Sequence, residues 1–480
     1  MNRRKFLGAA ATAIPAVPGM LFVGAEAASG QTPAELSGGT RQAVPQGGDG
    51  KLVPRFGDAR DWWFQKRFGM FVHWGLYAIA GWHEQLEWRG GVPRAEFEKR
   101  YFGQWNPKNY DPEAWLDLAQ SAGMEYICFT TKHHEGFCQW DTKLTDFSVT
   151  NTPYGKDALR QLADACHRRN FPLCLYYSVV DWHSPLYPNQ GRSHELQPQP
   201  GDHPDFNEYV EFVRGQVREL CTNYGKISGF WWDMYIDKIP IPSINAMIRE
   251  LQPAAVINNR GFDEGDFGTP ERDYDRTWDM PLSFKQRVEA NQSVGMESWG
   301  FRRDEDYYSH RYLTSSIAKY RARDANYLLN VGPDADGVIP EKAVAILRRI
   351  GAWYRPLREA FDGAAPVSAM TMNRNVLLTR KGNSLYVHLY QPPDGEEVRL
   401  SPLAVAPQRT VLLNDGRPVE WRLDIAPMEW KDHKPYLRLH SLPVEEFAGT
   451  TMVVRLDFAS LEGIGGAAQG ADPANGAAAQ

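Results

Sequence analysis

Five short apolar or aromatic runs in this 480-residue chain end in polar, titratable residues. The first ends in His73-Trp74-Gly75, the second in Lys132-His133-His134-Glu135, and the third in Tyr176-Tyr177-Ser178. The fourth ends in Trp231-Trp232-Asp233 and the fifth in Asn258-Asn259-Arg260. One such His or Trp is more often a packing residue than a functional one. Five in succession are costly to bury unless the place they share binds something polar. Imidazole, guanidinium and phenol groups suit sugar hydroxyls, and Trp faces suit the apolar patches of a sugar ring. Cleaving a glycosidic bond then needs two carboxyl groups flanking it. Asp233 follows the buried aromatic run Phe230-Trp231-Trp232, where an unpaired carboxylate without a task would be expensive, so it is the candidate nucleophile. Its structural alternative is to cap the following turn. The partner carboxyl comes from Glu271, Asp275, Asp279 or Glu297, and spacing does not choose among them. Zinc hydrolysis is the competing chemistry, with His73, His133, His134 and Glu135 as ligand types. Alternation along a strand places His133 and His134 on opposite faces, however, and neither H-x-H nor H-E-x-x-H occurs.

The elements that must position these residues follow from the apolar pattern. Strands are predicted at Gly69–Trp74, Tyr126–Thr131, Leu173–Ser178, Gly229–Asp233, Ala254–Asn258, Arg276–Met280, Met296–Phe301 and Asn326–Val331. Amphipathic helices at Pro112–Ala122, Leu159–Arg169 and Phe206–Tyr224 lie between the earlier ones, the first two preceded by the capping residues Asp111 and Asp157. Eight strands over roughly 300 residues predict an irregular (β/α)8 barrel at 51–363, whose active site lies at the C-terminal strand ends. Short alternating runs separated by Gly, Pro, Asn and Asp then predict a small antiparallel β-sandwich at 364–460. Its strands are expected at Val376–Thr379, Ser384–Gln391, Thr410–Leu413, Tyr436–Leu439 and Thr451–Leu456.

Composition bounds the rest. Hydrophobic residues at 42% and charged residues at 23% are those of a soluble globular protein, enriched in aromatics with 16 Trp, 21 Tyr and 22 Phe. A net charge of −6 without long basic runs excludes a nucleic-acid binder. Arg3-Arg4-Lys5, the weakly apolar Gly8–Val23 and Ala25-Glu26-Ala27 read as a twin-arginine-type export signal at 1–28. Export to the periplasm or beyond is therefore expected, with no membrane span. Residues 29–50 read as a flexible leader, and the Gly/Ala-rich 461–480 as a disordered tail. The five cysteines, several inside apolar strands and none in a C-x-x-C, are expected to be buried thiols.

The quoted strand ends, taken with their flanks, resemble the α-L-fucosidases of glycoside hydrolase family 29. The matching stretches are Phe68-Gly69-Met70-Phe71-Val72-His73-Trp74-Gly75, Thr131–Phe137 running on to Thr145-Asp146-Phe147, and Leu175-Tyr176-Tyr177-Ser178. Trp231-Trp232-Asp233-Met234, Ser298-Trp299-Gly300-Phe301 and Tyr327–Pro333 follow in the family's order. The resemblance implies a retaining exo-glycosidase that releases terminal α-L-fucose from glycans through a covalent fucosyl-enzyme, with no metal or organic cofactor. It implies Asp233 as nucleophile, Glu271 as acid/base, and His73, His133, His134, Tyr176, Trp231 and Arg260 as the residues that hold the sugar, joined by the pair Glu87-Trp88. The chain departs from the family pattern at Asp279, where a glutamate often follows the Trp equivalent to Trp278. It departs again at Arg355–Ala360, which replaces an Asn-Gly-Glu segment and is expected to affect local packing or the aglycone side of the pocket. The alternatives are another retaining exo-glycosidase, acting on a galactose-like sugar, and a non-catalytic carbohydrate-binding protein.

Overall fold

A computed structural model describes residues 51–234, 241–272, 280–427 and 433–464. The expected signal at 1–28, the leader at 29–50, most of the tail, the strand Arg276–Met280 up to its last residue, Asp275, Trp278 and Asp279 lie outside the described residues. Seven parallel strands form one curled sheet: β1 (Phe68–Val72), β2 (Tyr126–Lys132), β3 (Leu173–Ser178), β4 (Gly229–Asp233), β5 (Val256–Ile257), β6 (Glu289–Ser293) and β7 (Asn326–Val331). Their order is β5-β4-β3-β2-β1-β7-β6. Alternation sorts the side chains. Phe71, Tyr126, Cys128, Cys174, Tyr176, Trp231, Val256 and Leu328 pack together as one buried cluster inside the curl. Their neighbours Met70, Ile127, Phe129, Leu175, Phe230, Trp232 and Leu329 join the larger core that includes the surrounding helices.

The helices begin where their capping residues stand. The Asp111 carboxylate accepts from the Glu113 amide, Asp157 from Arg160, and Asp205 from Asn207 and Glu208, opening Pro112–Ser121, Ala158–Arg168 and Phe206–Asn223.

One sequence expectation needs correction. Met296–Phe301 is not a strand: it is a loop, and the strand is the polar run Glu289–Ser293 just before it, buried along its whole length. The seam between β5 and β6 is irregular. There, Phe267–Arg272 runs as an irregular sixth strand, bridging to Asn258 on one side and to Val288 and Asn291 on the other. Its backbone bonds include Asn259 N–H to the Phe267 carbonyl, Glu289 N–H to Gly268 and Asn291 N–H to Pro270. Pro270 has no N–H to give back, so the ladder stays broken. Phe267 nonetheless belongs to the interior cluster.

Eight further strands form the β-domain: β8 (Ala365–Pro366), β9 (Leu377–Lys381), β10 (Ser384–Leu389), β11 (Val398–Arg399), β12 (Arg409–Leu412), β13 (Glu420–Asp424), β14 (Tyr436–His440) and β15 (Met452–Asp457). They make two antiparallel sheets, β12-β15-β10-β9-β8 and β11-β14-β13, closed around Leu385, Val387, Leu437, Leu439 and Val454. Trp353 Nε1 donates to the Thr451 carbonyl at 2.8 Å, tying the last barrel helix to this domain. All five cysteines are buried free thiols. No helix among the described residues is long and apolar enough to cross a membrane.

Candidate active site

At the C-terminal end of β4, Asp233 points inward, in phase with Trp231 two residues earlier. The Tyr176 hydroxyl donates to Asp233 Oδ2 at 2.6 Å, and Arg260 donates to Oδ1 at 3.1 Å. The Met234 amide also donates to Oδ1, at 3.0 Å, from a left-handed backbone (φ 57°) that turns the chain away from the strand. Burial alone would raise this carboxyl. The Arg260 guanidinium and the Tyr176 hydroxyl outweigh burial and hold it well below the usual carboxylate range. Asp233 is therefore ionised and aimed, as a nucleophile must be.

Arg260 does more than neutralise Asp233. Its other terminal nitrogen reaches Glu271 Oε2 at 2.8 Å, while Nε donates to Thr269 Oγ1 at 2.8 Å and the guanidinium lies 4.7 Å over the Trp231 ring. One half-buried guanidinium thus ties Asp233 to Glu271, and Glu271 sits on the irregular seam strand. Of its rivals, Glu297 is exposed, and Asp275 and Asp279 lie outside the described residues.

The three histidines surround this pair. His73 donates from Nδ1 to Asn330 Oδ1 at 2.7 Å, because the Asn330 amide nitrogen is already used on the Trp299 carbonyl at 2.7 Å. Ser178 donates to the Val180 carbonyl, so its oxygen accepts from His134 Nδ1 at 2.7 Å. Both rings therefore turn an Nε2 lone pair away from these anchors, an assignment made from the network. Burial pushes His73 down to about 3 and His134 well below its ordinary value, so both are neutral. His134 Nε2 stands 3.8 Å from Asp233 Oδ2. His133 stacks on Tyr176 at 5.6 Å and 12°.

His133 and His134 do not diverge as strand alternation requires. A register shift between Thr130 and Lys132 puts Lys132 on the outside, paired with Asp181 at 2.6 Å, and the strand ends there. The two rings then lie 4.1 Å apart, and His133 lies beside His73 and Tyr176. Among the described residues no group of three or more His, Cys, Asp or Glu is arranged to hold a metal ion.

Glu87 and Trp88 lie on the short helix Leu86–Arg89. Burial and the nearby Glu135 charge raise Glu87 well above its ordinary range, so it is a protonated donor. Trp88 is half-buried and stacks on His194 at 4.5 Å, and His194 lies 6.2 Å from His134. Eight of the ten candidate residues are thereby linked by direct contacts, Trp88 joins them through His194, and Glu87 is buried next to Trp88.

Three more were missed. Trp299 packs 5.3 Å from His73 with Arg272 over its face at 4.8 Å. Glu84 fastens that loop, accepting from Ser298 Oγ at 2.6 Å and from the Trp299 amide at 2.9 Å. Burial opposes ionisation of Glu84, but His83, His133 and the Ser298 hydroxyl hold it far below the usual range. Glu289, inside the barrel, accepts from Tyr126 at 2.6 Å and Trp63 at 3.3 Å, and burial pushes it up to about 7. The Ser298-Trp299-Gly300 motif was the available signal for the first; nothing local marked the other two.

Arg355–Ala360 is far from this basin. Arg358 pairs with Glu125, next to the N-terminal end of β2, and Glu359 pairs with Arg455 of β15. Of the two expected effects, local packing or the aglycone side, these contacts belong to packing at the opposite end of the barrel.

The sequence profile of the α-L-fucosidases matches residues 56–357. A tissue α-L-fucosidase of Bos taurus is 26% identical over 81% of this chain and 87% of its own length. Among solved structures, α-L-fucosidase isoenzyme 1 from Paenibacillus thiaminolyticus is 34% identical with a TM-score of 0.72, covering 83% of this chain and 99% of that one. A family 29 α-L-fucosidase from Bacteroides thetaiotaomicron, trapped as a covalent intermediate with 2-fluoro-fucosyl fluoride, is 26% identical with a TM-score of 0.70, covering 86% and 99%. With this fold, this basin and these relatives, the chain belongs to the α-L-fucosidase family of glycoside hydrolases, family 29.

Proposed function

We propose that this enzyme is a retaining exo-α-L-fucosidase that removes terminal fucose from glycans, with Asp233 as nucleophile and Glu271 as acid/base. The observation that carries this is Arg260, shared by the two carboxyl groups. In the first step Asp233 Oδ attacks the anomeric carbon while protonated Glu271 gives its proton to the leaving oxygen. The negative charge then resides on Glu271, since Asp233 has become an ester. In the second step Glu271 takes a proton from water, water attacks the anomeric carbon, and Asp233 leaves as carboxylate. Neutral His73 and His134 accept from sugar hydroxyls, protonated Glu87 donates, and Trp231 and Trp299 supply apolar faces. The Arg3-Arg4-Lys5 start supports export through a twin-arginine-type signal.

Azide tests both roles with an aryl fucoside. D233G should lose nearly all turnover and give the β-fucosyl azide, because azide replaces the nucleophile with one inversion. E271A should give the α-azide, because azide intercepts the fucosyl-enzyme. Normal hydrolysis by D233G removes the nucleophile assignment, and rescue at Asp279 or Glu297 instead of 271 moves the acid/base. A panel of aryl glycosides in which a galactoside outpaces the fucoside overturns the substrate.

A further inference from the structure

Glu135 follows the two histidines and has no part in the scheme above. Its carboxyl is 2% exposed, and its Oε2 lies 3.3 Å from His133 Nδ1. Neither atom has a hydrogen-bond partner, because their approach is too bent for an N–H···O bond. Leaving two buried polar atoms unpaired is costly, and at this distance a small turn of either side chain makes the hydrogen bond. The space Glu135 occupies exists because residue 75 is glycine. A Cβ there would stand 2.4 Å from Glu135 Oε1 and 2.7 Å from the Tyr77 ring. The other two site histidines use neutral acceptors, Asn330 and Ser178, so among the three only His133 is backed by a carboxyl group.

We propose that Glu135 is a positioning residue that accepts a hydrogen bond from His133 Nδ1 and so fixes that ring's tautomer, turning an Nε2 acceptor toward the sugar. The stack on Tyr176 sets the plane of the ring, and Glu135 sets which edge carries the proton. Gly75, Glu135, His133 and Tyr176 then form one line from the end of β1 to the hydroxyl that holds Asp233. This rests on the sugar site proposed above.

The test is a double-mutant cycle read by calorimetric binding of a fucose-configured iminosugar, with kcat and KM measured alongside. E135Q keeps the side-chain volume and presents an amide that can donate to Nδ1, favouring the opposite tautomer. Affinity should fall roughly tenfold, by analogy with outer partners of ligating histidines, with KM rising more than kcat falls. In the H133A background E135Q should change affinity less than twofold. Equal losses in both backgrounds, or no loss in the first, overturn the proposal. A reading that does not depend on a variant of Glu135 folding comes from 15N-histidine-labelled wild-type protein, with signals assigned by H133Q. Proton on Nδ1 is expected, and proton on Nε2 overturns the assignment. If wild-type protein binds no fucose-configured ligand, the sugar site falls while the tautomer still reports on Glu135.

Discussion

Arg260→Met isolates the charge that Asp233 and Glu271 share. Methionine keeps a stem that can lie on Trp231 and removes the contacts of 3.1 Å to Asp233 and 2.8 Å to Glu271. With charge centres roughly 4 Å apart and an effective dielectric near 20, the Arg260–Asp233 attraction is about 4 kcal/mol. That corresponds to about three pKa units on Asp233. The two side chains are 22% and 15% exposed, so water screens part of it, and the Tyr176 hydroxyl bond survives. A net rise of about one to two units is expected. Because Asp233 must be ionised to attack, kcat/KM of the wild type should show no acid limb from this group at moderate pH. The variant's limb should begin one to two units higher, reaching toward the ordinary carboxylate value of about 3.9. A carboxylate held low when folded adds stability above its unfolded value of about 3.9 and loses that contribution as pH falls. The Tm gap between wild type and variant should therefore stay level from neutrality to about pH 4 and narrow below it, as pH falls through the variant's folded value. Initial rates on a chromogenic aryl fucoside from about pH 2.5 to 8, stopped into alkali, measure the limb. Superimposable acid limbs would refute the assignment of Arg260 as the group that holds Asp233 ionised.

Other substitutions probe what surrounds the pair. Lys132→Met leaves Asp181 buried without its 2.6 Å partner and should cost about 3–5 kcal/mol in chemical denaturation. Glu84→Gln should lower stability at neutral pH and raise KM by loosening Trp299. Because Glu84 is depressed when folded, the stability loss should shrink as pH drops below about 4.3. Glu289→Gln should behave oppositely. Glu289 is pushed up to about 7, so folding takes up a proton that is released as pH rises through that value. Relative to wild type the variant should gain about 3 kcal/mol between pH 4 and 8, and a flat difference between the two denaturation series would contradict the burial argument.

The alternating pattern made the parallel sheet legible, and with it the strand ends His73, Tyr176, Asp233 and Arg260, since a run such as Phe230-Trp231-Trp232 admits few other placements. It failed where burial is polar. β6, Glu289-Ala290-Asn291-Gln292-Ser293, reads as a loop in sequence because its partners, such as the Tyr126 hydroxyl on Glu289, come from elsewhere in the chain. The aromatic Met296–Phe301 attracted the strand assignment instead, though Met296 is 45% exposed and Trp299 turns toward His73. The seam at Phe267–Arg272 was unreadable for a related reason: Gly268 and Pro270 are poor strand residues, held there by bonds to β6.

By itself the sequence determined the inventory, namely which chemical groups stand at which strand ends, and the family to which that order belongs. Tertiary structure decided the partnerships. A bulge in β2 moved Lys132 outward and brought the rings of His133 and His134 together. A guanidinium from the end of β5 spanned the carboxyls of β4 and the seam. Register and side-chain contact depend on residues hundreds of positions apart, and hydrophobic periodicity carries no record of which buried polar atoms will meet.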